Sequence, residues 1–271
     1  MSEIDQQRTV DALREVWTGL HHFCSEFTDD HWTRPVPLPG WDVRSTFIHV
    51  FGTEAMLLGR RPSVGERPDD LHHVKNPIGK LNEQWIATYA DATPAELLDE
   101  FHALTTARLA ALEAMTPEKW SELGPTPVGK APYGRFMQIR VFDCWMHEQD
   151  IRAGLDLPGH ESGLAVDVAL DEMATAMGFV VGKRAAAPVG TTVTFDLTGP
   201  GWRQIDIAVG ERAEVVDALD GPATVTLKMP VIWFSRIAGG REDAPEHLDR
   251  VEISGDVQLG NAILTNLAYT V

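Results

Sequence analysis

Cysteine is scarce in this chain. Cys24 and Cys144 are the only two, and they form no CxxC pair, which excludes a disulfide framework and fits a reducing compartment. Positive charge is also in short supply, with 23 Lys+Arg against 40 Asp+Glu and a formal net charge of −17. Such a surface repels phosphate backbones and anionic lipid heads, so nucleic acid and membranes are not expected as partners. Long apolar runs are missing too: no window reaches the roughly 18 uninterrupted apolar residues of a membrane helix. The opening stretch MSEIDQQRTVDALREVW is acidic and amphipathic, not basic and then apolar, so no signal peptide is expected. These absences together predict a soluble cytoplasmic protein.

What is present suits a globular fold. At 271 residues the chain is long for one domain and comfortable for two, and 44% apolar against 23% charged residues allows a sizeable core. Val10, Leu13, Val16, Trp17, Leu20 and Phe23 recur at spacings of three and four, the signature of a long first helix. After PLPGW, Asp42 is placed to cap a second helix through about Leu58. A Pro- and Gly-rich stretch, Pro62–Pro77, reads as a surface loop. Helical periodicity returns from Leu81 to Met115 with a break at Thr93-Pro94, where Thr93 and Glu96 fit a capping box. Gly124–Pro132 reads as a loop, and a fourth helix spans about Tyr133 to Gly154. Four long helices so connected predict a bundle.

One more helix, Gly163–Lys183, leads to Ala185-Ala186-Ala187-Pro188, and there the period changes. Val193, Phe195 and Leu197 alternate with polar residues, as do Ile205, Ile207 and Val209, then Val225 and Leu227, and a further strand is expected at Arg250–Ile253. Pro230–Ala238 and Asp256–Leu267 read as helices. The expected fold class is α+β, a helical bundle over residues 1–187 including the linking helix, followed by a small α+β domain over 188–271.

The chemistry concentrates on the fourth helix. At about 100° per residue, Met146, Ile139, Phe136, Ile151 and Cys144 share one broad face, with Asp143 and His147 near its middle, one turn apart. A carboxylate among apolar side chains costs several kcal/mol (about 2–7 for a polar group, more for a charge) unless it is protonated, paired or bound to metal. The i, i+4 spacing lets both side chains reach one ion, and equally lets them hydrogen-bond each other in the core. A third ligand would come from another helix, and His49, beside Ser45, Gly52, Thr53 and Met56, is the best placed.

Two segments, PGWDVRSTFIHVFGTE and RVFDCWMHEQDIRAGL, together closely resemble the mycothiol-dependent maleylpyruvate isomerase family, which belongs to the DinB-like metal-binding bundles. The C-terminal WFSRIAGGR and VEISGDVQLGNAIL look like that family's sterol-carrier-like domain, so the resemblance spans nearly the whole chain. It implies that His49, Asp143 and His147 hold one divalent metal. DinB-like proteins often use three histidines, and the isomerase is similar to a His/Glu/His arrangement, so Asp143 is a shorter carboxylate in the same role. A mixed N/O site suits zinc first, with nickel, manganese or iron also able to fit. Three protein ligands leave a coordination position open, as catalytic sites do.

The resemblance further implies mycothiol as the thiol that takes the open position, so the nucleophile would come from outside the chain. Cys144 is then more simply a small buried hydrophobe. Arg140 and Asp150 flank the ligand pair and either orient His147, bind a cofactor or substrate carboxylate, or edge the bundle in salt bridges. Glu54 reads as a buried hydrogen-bonded acid. An arginine of the C-terminal domain contributes to activity in the related isomerase, and Arg236 and Arg241 are the candidates here. His21-His22 and His72-His73 read as solvated pairs. The expected function is thiol transfer to, or thiol-assisted isomerisation of, a small electrophile. A hydrolase using metal-activated water and a non-catalytic binder of apolar ligands are the alternatives.

Overall fold

The computed structural model describes residues 4–64, 71–242 and 249–270. Chain packing divides it into two compact units, Met1–Gly159 and His160–Val271. No helix among the described residues is long and apolar enough to cross a membrane.

The first unit is a helical bundle. Its long members are α1 (Gln6–Ser25), α3 (Val43–Leu57), α5 (Pro94–Glu113) and α7 (Tyr133–Leu155). Short helices α2 (Asp29–Trp32), α4 (Pro77–Thr88) and α6 (Pro117–Trp120) fill the connections. Helix α1 packs on α7 and α5, and α3 packs on α7, α4 and α5. The local signals explain the boundaries. Asp42 caps α3 by accepting from the Ser45 amide at 2.7 Å, and Thr93 and Glu96 form the reciprocal capping box of α5. Residues 65–70 of the expected Pro62–Pro77 loop lie outside the described residues.

Two features of this unit depart from the sequence expectation. Leu123–Thr126 (β1) and Gly129–Pro132 (β2) pair as an antiparallel hairpin where a plain loop was expected. On α7 the buried surface is not one face: Met137, Val141, Cys144, Trp145 and Ile151 are buried, Phe136 and Ile139 only partly, and Arg140, His147, Glu148 and Asp150 are buried with the apolar residues. The helix packs on α1 and α3 and is also met by β1, β2 and α6, so many of its polar residues are covered and must find partners inside.

The second unit is a five-stranded sheet with helices. The strands are β3 (Thr192–Thr198), β4 (Arg203–Val209), β5 (Ala213–Val216), β6 (Val225–Pro230) and β7 (Glu252–Gly255), in the order β5-β4-β3-β6-β7. Pairing is antiparallel except between β3 and β6. Helix α8 (Leu164–Phe179), continued by a π-helical turn Val180–Arg184, packs on β5 and β4; α9 (Val231–Ala238) packs on β6 and β3, and α10 (Val257–Thr265) on β6 and β7. The alternating Val193, Phe195, Leu197, Ile205, Ile207, Val225 and Leu227 are buried, with Phe195 edge-on to Phe234 at 5.5 Å. Helix α8 therefore belongs to the sheet-containing unit, and the compact units divide after Gly159 instead of near Ala187. The whole is α+β, a helical N-terminal unit followed by a sheet domain.

Candidate metal centre

Helices α3 and α7 bring three side chains together. One ligand atom each from His49, Asp143 and His147 lies within 4.8 Å of the others. His49 Nε2 is 3.4 Å from Asp143 Oδ2, and His147 Nε2 is 3.5 Å from Asp143 Oδ1. The two distances end on different oxygens of the carboxylate, which lies between the imidazoles, and each is near the roughly 3.4 Å between ligand atoms about 2.1 Å from one tetrahedral ion. The imidazoles are buried, and the Asp143 side chain, 31% exposed, is the member open to the outside.

Each ligand has its own support. His147 Nδ1 lies 3.0 Å from Asp150 Oδ2, a buried carboxylate that holds the proton on Nδ1 and leaves the Nε2 lone pair for an ion. Asp143 pairs with the Arg140 guanidinium one turn earlier. Arg140 in turn donates to Glu54 Oε1 at 2.9 Å and to the Val50 carbonyl at 3.0 Å. Glu54, fully buried, is shared: its second oxygen accepts from Arg108 Nε at 2.8 Å. His49 differs, since its buried Nδ1 has no hydrogen-bond partner among the described residues.

The charges shape the protonation states. Burial pushes the Asp143 carboxyl up, but Arg140 and the two histidines outweigh it and hold it well below the usual carboxylate range. Burial and the facing His147 lower the His49 pKa, which favours the neutral imidazole a metal needs. Burial opposes a charge on His147 as well, yet Asp143 and Asp150 prevail and raise its pKa. Burial pushes the Cys144 thiol up to about 12, where Arg140 and Trp17 only donate to its sulfur, and Cys24 is raised in the same way. Neither cysteine is a thiolate at neutral pH.

The other expected residues fall as follows. Arg140 and Asp150 are buried beside the ligands, not on a bundle edge. Arg236 and Arg241 belong to the second unit, where Arg236 pairs with Glu242 and Arg241 Nη1 donates to the Gly239 carbonyl at 2.6 Å. His72 is exposed, whereas His73 is not a solvated residue: its Nε2 lies 2.9 Å from Glu83 Oε1. Arg108, Glu83 and Trp41 were not singled out from sequence. Arg108 was within reach, because it continues the Phe101, Leu104, Thr105 stripe of α5 and a cation there needs a buried acid.

Residues 13–152, just over half of the chain, match the family described as the mycothiol maleylpyruvate isomerase N-terminal domain. No curated protein matches the chain. Two solved structures are similar, a mycothiol-dependent maleylpyruvate isomerase and a histidine-to-alanine mutant described under the same name. Each has a TM-score of 0.56 at 19% identity, over 94% of this chain and 96% of that one. At that identity the likeness speaks for the fold, and it extends through the second unit.

Proposed function

This chain belongs to the mycothiol maleylpyruvate isomerase N-terminal domain family, and from that premise we propose that it is a metal- and mycothiol-dependent enzyme acting on a small electrophile, by thiol transfer or thiol-assisted isomerisation. The observation that carries the proposal is the convergence of His49, Asp143 and His147, each offering a ligand atom within 4.8 Å of the other two. Two imidazoles and one carboxylate fit a single divalent ion, zinc above all, and leave it an open position.

When bound, such an ion lowers the pKa of a thiol in that open position, so that thiolate forms at neutral pH. The chain's residues prepare the place. Asp150 keeps the proton on His147 Nδ1, and Arg140, held by Glu54, keeps Asp143 ionised and aimed between the two imidazoles. With Cys24 and Cys144 buried as neutral thiols, no protein sulfur competes for the role of nucleophile. Arg236 and Arg241 are the arginines assigned to substrate in this reading, and Arg140 and Asp150 act through the metal ligands.

The test is metal analysis followed by titration of a cobalt-substituted protein with mycothiol. The expected result is one ion per chain and a sulfur-to-metal charge-transfer band that forms well below the free-thiol pKa of about 8.5. His147→Ala should lose both the ion and the band. A metal-loaded protein whose spectrum ignores millimolar thiol would overturn the thiol reading and favour a metal-activated water nucleophile.

A further inference from the structure

The two histidine ligands are supported unequally. His147 has Asp150 behind its ring, whereas the buried Nδ1 of His49 has no hydrogen-bond partner among the described residues. A ligand imidazole ordinarily has its second nitrogen bonded to a carboxylate, carbonyl or water, which sets the ring's orientation. For His49 no side chain or carbonyl among the described residues does this at Nδ1, so beside the Asp143 contact at Nε2 the packing on the ring sets its orientation. Two rings lie against it: His147, edge-on at 4.5 Å, and Trp41, whose indole lies 5.2 Å from the His49 ring and 6.0 Å from the His147 ring, tilted by 44° and 40°.

Trp41 sits at the end of the PLPGW turn, and a second set of contacts holds it there. Its Nε1–H donates to Glu83 Oε1 at 2.8 Å, from helix α4, and the same oxygen faces His73 Nε2 at 2.9 Å. Glu83 is 6% exposed, so water cannot easily replace either bond. Gly40, at φ +81°, presses on the His73 ring so closely that a Cβ there would stand 2.6 Å from Nδ1. His73 thus meets Gly40 directly and Trp41 through Glu83, which leaves the indole little freedom to turn.

We infer that Trp41 is a positioning residue of the metal centre, holding the His49 ring in its ligating orientation through its tether to Glu83 and His73. This rests on the proposed metal reading and assigns to Trp41 the part that Asp150 plays for His147. The indole acts by packing, which is why its tether matters: an untethered ring could rotate away and release the imidazole.

The full-length protein tests it, with cobalt affinity measured by chelator competition and ligand geometry read from the visible spectrum. Trp41→Ala should weaken cobalt binding by about 10- to 100-fold and alter the spectrum, as loss of ligand support does elsewhere. Trp41→Phe, which keeps a ring but loses the N–H, should fall between it and the wild type. Glu83→Ala should resemble Trp41→Phe, and in the Trp41→Ala background it should add less than about two-fold, because the tether then holds nothing. Glu83→Gln, which still accepts from the indole, should recover most of the affinity. Wild-type affinity and spectrum in Trp41→Ala, or in Trp41→Phe and Glu83→Ala should Trp41→Ala fail to fold, would overturn the inference. Full additivity of Glu83→Ala and Trp41→Ala would overturn the tether. A wild-type protein that binds no cobalt would instead overturn the metal reading beneath it.

Discussion

At the scale of single residues, the polar interior of the bundle is a linked set and not a scatter of pairs. Arg108, Glu54, Arg140 and Asp143 run in sequence from α5 through α3 to α7, alternating in charge, and the last of them is the partly open candidate ligand. Such a set tolerates burial only while each member keeps its partner, since desolvating a charge costs several kcal/mol. Glu54 is the member with most to lose, because two buried guanidinium groups depend on it. Glu54→Ala should destabilise the protein by about 3–5 kcal/mol, seen as a lower urea midpoint with an unchanged slope. A loss under about 1 kcal/mol would mean that Tyr133, Asp143 and the Val50 carbonyl suffice for the arginines. Part of this was legible in the sequence: the spacing of Asp143 and His147 marked them as a pair, the family resemblance pointed to them and His49 as candidate ligands, and Glu54 stood out by its place among Val50 and Leu57. The burial of its partner Arg108 could have been read from the α5 stripe it continues, but only the fold reveals which acid it meets. Trp41 and Glu83 were hidden for a similar reason: their contact joins a turn to a helix 42 residues away.

At the scale of elements, helices were the readable part because each carries its own period and caps. What escaped were the pieces whose reason lies elsewhere in the chain. The β1–β2 hairpin, LGPT and GKAP, is built of Pro- and Gly-rich segments with no alternation of apolar and polar residues to mark a strand. Strand β5 is four residues long, and its Ala213 lies against Gly178 on α8 and Gly182 in the π turn. Those two glycines, one turn apart, allow helix and strand to approach closely, which assigns α8 to the second unit; from sequence they read as ordinary helix residues. A similar close approach sets the spacing of α3 and α4. A Cβ on Gly52 would stand 2.7 Å from Trp85 Cγ and 2.9 Å from Trp85 Cβ, and Trp85 is buried with its base fixed to α4. Alanine normally gains about 1 kcal/mol over glycine inside a helix. Here the overlap forces the helices apart, costing about 1–3 kcal/mol, so Gly52→Ala should be neutral to destabilising by about 2 kcal/mol. Chemical denaturation decides it: a clear gain in stability would mean that α4 yields freely and the contact is soft.

At the scale of the whole molecule, every residue implicated in metal binding lies in one unit. His49, Asp143 and His147, the chain of ions from Arg108 to Asp143, and the Trp41–Glu83–His73 tether all precede Gly159, where the first compact unit ends. That unit has its own core, including Trp17, Phe47, Phe51, Phe101 and Trp145, each 2% exposed or less. The second unit buries its own set around Phe195 and Phe234. From sequence the natural place to divide the chain is near Ala187, where helical periodicity gives way to alternation. The structure makes that a poor place to cut, because α8 packs on β5 and β4 and has Ala165, Val168, Ala169, Leu170, Met173 and Met177 all buried. A fragment ending at residue 187 keeps α8 but removes the strands it packs on, exposing an apolar helix face. A fragment ending at Gly159 carries no such face from the second unit. Residues 1–159 should therefore fold as a soluble helical protein and bind one cobalt ion per chain with the full-length spectrum, while residues 1–187 should aggregate. Circular dichroism, size-exclusion chromatography and metal titration on the two fragments check this. A helical 1–159 fragment that binds no metal, set against a full-length protein that does, would overturn the assignment of the whole metal centre to the first unit.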